Sequence, residues 1–365
     1  MFKLSRIDRI IFYINCLFIA LLIISLFSPH ISPAQFWVIA LFGLIFPILI
    51  LLNFVFLCFW VFRRKVVLIL PILTFILAWN YIDNSLAFSF QSEVEEEKGK
   101  SLKVLSYNVK NFDLYNKQEK IESKNDMMTL IGKQEADIIT FQEFFTEDTD
   151  DFHNIKKLVN DLGFVDHYFE ISTSRDGHRH WGIATFSKYP IINKAKLNFE
   201  GTNTNLVTSS DIKIDDEIIR VFNVHLQSFK FGNDDYEYFR KLTKEHTTDI
   251  ESSKSVLKKL RDAYIRRAEQ AEILSKAIKS SSYPVIVCGD FNDTPNSYTY
   301  NTIACDLRDT FLERGFGFGG TYSGPLPSFL RIDYGLIDST FKTLEFDVIR
   351  KGNSDHFPIL FELEI

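Results

Sequence analysis

The chain has 365 residues, 46% of them hydrophobic and 24% charged, with a net charge of −6, room for one large domain plus an appendage or for two domains. The charge is uneven: residues 1–82 carry six basic side chains and a single acid, Asp8, a balance of +5 that leaves −11 for the rest. A domain that acidic does not hold nucleic acid by bulk charge, and the four cysteines show no CxxC or Cys/His spacing of the kind that binds zinc.

From the N-terminus, three apolar runs are long enough to be read as transmembrane helices, at about 10–27, 36–62 and 66–82. The middle run contains Pro47, which a membrane helix tolerates as a kink. The first run alone would pass for a signal peptide, but cleavage there would leave two spans in place. Lys3, Arg6, Arg9 and the Arg63-Arg64-Lys65 turn hold all the positive charge, while the 28–35 loop has neither Lys nor Arg. By the positive-inside rule the tail and the 63–65 turn are cytoplasmic, and three spans place residue 83 onward outside the cytoplasm. A re-entrant hairpin in the second run would invert that topology. Residues 1–82 are therefore read as a multi-pass anchor in the lipid bilayer, 83–100 as a linker with acidic Glu93, Glu95, Glu96 and Glu97, and 101–365 as the catalytic domain.

From residue 101, short β-branched runs end in residues that chemistry can use: 102–108, 137–143, 181–188, 218–225, 284–292, 331–337 and 354–365. Helical patterns lie between them, at about 117–135, 151–161 and 236–280. Strands and helices mixed in this way predict a layered α/β domain with polar strand ends converging on one rim.

Those ends carry Asn108, Glu143, His225, Asp290 with Asn292, Asp333, and Asp355 with His356. Each has an ordinary structural reading by itself: a turn, a cap or a packed core histidine. Together, carboxylates and an amide oxygen suit a hard cation such as Mg²⁺ or Mn²⁺, and two histidines suit acid–base work or contact with phosphoryl oxygens. No Ser or Cys sits in a nucleophile elbow. Metal-assisted attack of water on a phosphoryl centre is the reaction class that fits this set.

The motifs LSYNV (105–109), FQE (141–143), GIATFSKYPI (182–191), NVHL (223–226), GDFN (289–292), RIDYGL (331–336) and SDHFP (354–358) resemble the endonuclease/exonuclease/phosphatase superfamily from about Leu102 to the C-terminus. That superfamily includes deoxyribonuclease-type nucleases, abasic-site endonucleases, inositol-polyphosphate phosphatases and neutral sphingomyelinases. The resemblance implies a four-layer α/β sandwich: two mixed sheets face to face with helices outside, here preceded by a bundle of transmembrane helices. It implies Glu143 as main metal ligand, assisted by Asn108 and Asp355. Asp290 would orient or deprotonate the attacking water, and Asn292 would hold a phosphoryl oxygen. His356 would contact the scissile phosphate, steadied by Asp333, and His225 would be the second catalytic histidine. His180 falls where members place a phosphate-binding residue, with His178 and Arg179 as neighbouring alternatives.

Two stretches depart from better-known members. Residues 228–260 form a charge-mixed insert, read as a solvated helical extension or as a lid over the site, and the Gly- and Phe-rich 315–322 stretch precedes the 331–337 strand. The function expected is a Mg²⁺-dependent phosphodiesterase, nuclease-like in its leading form. A lipid-headgroup phosphodiesterase or phosphatase is the alternative, and a catalytically silent binding protein the third reading. No protein partner is legible.

Overall fold

Pro47 and Gly43 together shape the N-terminal module. A computed structural model of the chain describes residues 4–89, 99–116, 118–148, 150–199, 205–245, 249–324 and 330–365; Glu93, Glu95, Glu96 and Glu97 of the expected linker lie outside them. Helix α1 (Arg6–Ser25) starts at a capping box between Ser5 and Asp8. It is followed by α2 (Pro33–Phe36), α3 (Val38–Leu44) and α4 (Phe46–Phe62), and then a 3₁₀ turn (Val66–Leu68) that runs into α5 (Ile69–Asp83). Residues 6–25 and 66–83 are each long and apolar enough to cross a membrane. The run expected as one span at 36–62 is instead broken at Ile45, where α3 and α4 meet at 60°. Proline lacks the N–H that would bond back to the carbonyl of residue 43 and its ring crowds that carbonyl, so the helix restarts at Phe46.

Polar side chains tie the long helices together: Trp60 Nε1 donates to Asn15 Oδ1 at 2.9 Å, and Asn53 Nδ2 to the Phe18 carbonyl at 3.1 Å. Arg63 pairs with Asp8 at 3.0 Å, joining the end of α4 to the start of α1. The opposite ends of α1 and α5 meet the rest of the chain. There Asn296 Nδ2 donates to the Ser25 carbonyl, Asn301 Nδ2 to Pro29 and Arg331 Nη2 to Asn84, at 3.1, 3.1 and 3.0 Å. Ser25 ends α1 and Asn84 caps α5, so two of these donors satisfy carbonyls that a helix C-terminus leaves open.

Segment 83–100 is not all linker, because β1 (Ala87–Phe88) pairs with β11 (Phe316–Gly317). Between them run β2 (Ser101–Asn108), α6 (Lys120–Gly132), β3 (Ile138–Glu147), α7 (Asn154–Leu162), β4 (Asp166–Arg175), β5 (Arg179–Ser187), β6 (Ile191–Leu197), β7 (Val207–Ile214) and β8 (Glu217–His225). The insert then supplies α8 (Asn233–Lys244) and the start of α9 (Ile250–Lys279). The chain continues through β9 (Val285–Asp290), α10 (Tyr298–Ala304), β10 (Arg308–Asp309), α11 (Thr310–Arg314) and β11 to β12 (Asp333–Ile337), β13 (Lys342–Val348) and β14 (Ile359–Glu364).

Among the described residues two six-stranded mixed sheets form, in the orders β13-β14-β2-β3-β5-β4 and β10-β12-β9-β8-β7-β6. They face each other across Val104, Ile138, Ile212, Val221, Ile286 and Phe361. Because successive side chains alternate faces, the same strands send Leu105, Ile139 and Phe141 outward onto α6 and α7, and Phe222, Val224 and Val287 outward onto α9 and α10. Strands covered on both faces read as continuous apolar runs, which is why the sequence shows them so plainly. The result is the four-layer α/β sandwich expected. All four cysteines are free; Cys288 packs between the sheets, with its sulfur 3.3 Å from Thr140 Oγ1.

Candidate active site

Strand register builds the first half of the site. β8 runs parallel to β9, and β12 antiparallel to it, so that His225, Asp290 and Asp333 fall in one row. Gly289 makes that row close-packed: at its φ of +139° a Cβ would stand 2.1 Å from the Val224 carbonyl oxygen. After Asp290 the chain turns through Asn292, whose φ is +53° and whose N–H donates to Asp290 Oδ1 at 2.8 Å. The Asn292 amide donates to the Leu226 carbonyl at 3.0 Å and to Asp290 Oδ2 at 3.1 Å.

The facing sheet supplies the second half. Asn108 ends β2 and donates from Nδ2 to Asp290 Oδ2 at 3.0 Å. On β3 the register shifts between Phe141 and Phe144, and Glu143 within this bulge has a φ of +48°. Such a bulge re-aims a side chain at the cost of local strain. It turns Glu143 toward the same cleft. The last motif folds over both sheets: Ser354 Oγ donates to the Asn108 carbonyl at 2.7 Å and accepts from the His356 N–H at 3.2 Å. His356 Nδ1 lies 2.9 Å from Asp333 Oδ2, and its Nε2 lies 3.7 Å from Asp290 Oδ2.

The electrostatics follow from burial and neighbours. Burial alone would lower the His356 pKa, but the Asp333 and Asp290 carboxylates outweigh it and push it up to about 10. Burial holds His225 below its ordinary value, and the charge on His356 adds to that. Its Nε2 has no hydrogen-bond partner and lies 3.8 Å from both Glu143 and Asp290. Asp290 is raised by burial and partly drawn back by His356. Glu143 is raised by enclosure in the cleft and further by Asp355, whose carboxylate is 3.4 Å from Lys110 Nζ.

Two groupings are candidates for holding a cation. Asp290, Asp333 and His356 bring ligand atoms within 4.8 Å of one another, but a protonated imidazole has no lone pair to give. Asn108, Glu143 and Asp355 offer only oxygens, and the mutual repulsion of the last two is what a divalent ion relieves. His180 is set apart from both. Its Nδ1 is 2.9 Å from Ser174 Oγ and its Nε2 is 3.7 Å from Asp148. Strand alternation turns the next residue, Trp181, toward the cleft in its place.

Two cavities meet at Glu143, Ser228 and Lys230. One, of about 180 Å³, is lined by Asp290, Asn292, His356, Tyr236, Tyr322 and Leu44, among others. The other, of about 410 Å³, reaches His225, Asn111, Tyr115, Arg175 and Trp181. Part of the insert thus faces the site, through Phe229, Phe231 and Tyr236. The Tyr322 ring stands edge-on to His356 at 5.3 Å. The aromatic and glycine content of 228–239 and 315–322 was the available signal for these residues; Leu44 and Arg175 had none.

Arg267 supports the whole rim. It is fully buried between Phe229 and Tyr264, donates to the Gln227 and Asn292 carbonyls, and lies 3.4 Å from buried Asp293. Arg267→Met leaves the Asp293 carboxylate without its counter-charge. We expect a loss of about 3 kcal/mol in denaturant unfolding; a change under about 0.5 kcal/mol, the size of a surface substitution, would show that Asp293 is neutral or otherwise compensated.

The fold and this cluster define a phosphoester hydrolase of the layered α/β type. The family model for the endonuclease/exonuclease/phosphatase family matches residues 105–356, and the chain belongs to that family. Residues 8–85 match a domain of unknown function. Similar solved structures include an endonuclease/exonuclease/phosphatase from Beutenbergia cavernae (16% identity, 73% of this chain and 72% of that one, TM-score 0.52). They also include a mannosyl-6-phosphatase from Bacteroides thetaiotaomicron (17% identity, 72% and 100%, TM-score 0.52) and the human Nocturnin catalytic domain (16% identity, 73% and 96%, TM-score 0.50). At these identities the likeness is one of fold. No curated protein matches the chain by sequence.

Proposed function

We propose that the protein is a divalent-metal-dependent phosphodiesterase held in a membrane by its N-terminal helices. The observation that carries this reading is the convergence, from two sheets and a C-terminal turn, of Asp290 with Asn108, Asn292, His225 and His356, beside the oxygen-only set of Asn108, Glu143 and Asp355. A Mg²⁺ or Mn²⁺ ion held by Asn108, Glu143 and Asp355 would supply positive charge against the phosphoryl oxygens.

The remaining work falls to the chain itself. Asp290, fixed by three hydrogen bonds, orients water and takes its proton for in-line attack. His356 donates from Nε2 to a phosphoryl oxygen, with Asp333 holding its charge and orientation through Nδ1. Asn292 places its amide beside the same centre. His225, whose Nε2 lacks a partner, contacts the phosphate or protonates the departing oxygen.

Several features support a membrane placement. The ends of α1 and α5 that meet the catalytic domain lie opposite the ends bearing Arg6, Arg9, Arg63, Arg64 and Lys65. With α1, the bent α3–α4 pair taken as one span, and α5 crossing in alternate directions, the positive-inside rule favours a catalytic domain outside the cytoplasm. Activity of the full chain on bis-p-nitrophenyl phosphate should vanish on EDTA treatment and return with Mg²⁺ or Mn²⁺. Undiminished hydrolysis in excess EDTA would sink the metal reading.

A further inference from the structure

The first cavity has a wall that the catalytic domain does not supply. Leu44, the last residue of α3 at the α3–α4 break, lines it together with Leu330, Phe229, Phe231, Tyr236 and Tyr322. That break is seated tightly. A Cβ on Gly43 would fall 2.5 Å from the Asn296 carbonyl oxygen and 2.2 Å from Ser28 Oγ, so the helix backbone lies directly on the loop that follows Asn292. Phe46 and Pro47 extend the contact toward Phe318, Leu330 and Arg331. Phe88 and Phe316, 63% and 68% exposed, flank the point where α5 enters the catalytic domain. Exposed aromatics at such a junction suit a membrane–water interface.

On the far side of Glu143 the lining comes from the catalytic domain alone. The second cavity presents Asn111, Ser172, Thr173 and Arg175, with the Arg175 guanidinium 5.6 Å over the Trp181 ring. The catalytic groups therefore stand between a compartment walled partly by the membrane module, through Leu44, and one that carries the Arg175 guanidinium. A substrate with its phosphoester at these groups sets one end against Leu44 and Leu330 beside the membrane module and the other toward Arg175. A nucleic-acid strand has no acyl chain to set against Leu44 and Leu330 and needs a basic track, which a domain of charge −11 does not provide in bulk.

We propose that the substrate is a membrane phospholipid, taken from the bilayer alongside the α3–α4 break. Its acyl side lies against Leu44 and Leu330, and its headgroup lies toward Arg175 and Trp181. This rests on the reading of the protein as a membrane-held phosphoesterase. The reaction is hydrolysis: water oxygen bonds to phosphorus as one P–O ester bond breaks, one water proton goes to the departing alcohol, and the other is released to solvent.

The test uses the full chain in nanodiscs of phosphatidylglycerol, phosphatidylethanolamine or sphingomyelin with Mg²⁺, with bis-p-nitrophenyl phosphate and a DNA or RNA oligonucleotide assayed alongside. Expected is release of a water-soluble headgroup product or a lipid phosphomonoester from at least one lipid, identified by mass spectrometry. Leu44→Gln should lower the ratio of kcat/KM for lipid over that for bis-p-nitrophenyl phosphate about tenfold. Independently of turnover, a phosphatidyl analogue with a diazirine in its acyl chain should label residues 43–47, and added substrate lipid should reduce that labelling. Cleavage of bis-p-nitrophenyl phosphate or the oligonucleotide but of no lipid would overturn the inference and leave the phosphoesterase reading standing. Cleavage of nothing in the presence of metal would remove that reading itself. Lipid cleavage with an unchanged Leu44→Gln ratio and labelling confined to α1 and α5 would refute the role given to the helix break.

Discussion

Asp290→Asn is expected to lower turnover about a thousandfold, a typical loss for removal of a positioned base, while leaving the protein folded with only a modest fall in melting temperature. The two halves of that expectation have separate causes. Asp290 is the residue on which Asn108, the Asn292 backbone and the Asn292 side chain converge, with His225 and His356 each under 4 Å away. Asparagine keeps the shape and one accepting oxygen for those donors but cannot take a proton from water. The native carboxylate is fully enclosed and burial raises its pKa, so relief of its desolvation offsets part of what the amide loses by turning its NH₂ on a donor and leaving His356 with one carboxylate fewer. Circular dichroism and a thermal scan at matched metal concentration separate the effects. Retention of activity within tenfold would mean that water is activated elsewhere.

The second large effect concerns the Asp333–His356 pair. His356→Ala should lower turnover at least a hundredfold and, unlike Asp290→Asn, should also destabilise the protein by about 3 kcal/mol, because it strands the buried Asp333 carboxylate without its imidazolium. Adding Asp333→Asn to His356→Ala removes the stranded charge. The double variant should recover most of the stability and none of the activity. Asp333→Asn alone should cost less turnover than His356→Ala, since the histidine still reaches the phosphate but is less well held. The two losses should not add, as expected of groups acting as one unit. Additive losses in turnover would show that Asp333 has a role of its own.

Much of the site was legible because its residues stand at ends of strands that announce themselves. A strand covered on both faces must be a short apolar run, and the polar residue that stops it is conspicuous. That is how Asn108, Glu143, His225, Asp290, Asp333 and the 354–356 turn were marked. Some motif residues proved to be explained by backbone demands: Gly289 by the close approach of Val224, and Ser354 by its two hydrogen bonds to Asn108 and His356. His180 was less legible. A one-residue step on a strand reverses the face, and the step from His180 to Trp181 decides which of them meets the cleft.

What the sequence determined by itself is the chemistry: which residue types stand at strand ends, which segments avoid water, and hence a phosphoester hydrolase with an apolar N-terminal module. Those features are local, set by the twofold period of strands and the length of apolar runs. Only the tertiary structure decided how the two parts meet. The seating of Gly43 on Asn296 and the placing of Leu44 in one cavity with His356 join residues more than 250 positions apart in the chain. Contacts at that separation depend on sheet order and on which helix ends find donors, neither of which has a local period to read. The candidate site residues were therefore visible before the fold, and the part of their cavity wall that α3 supplies was not.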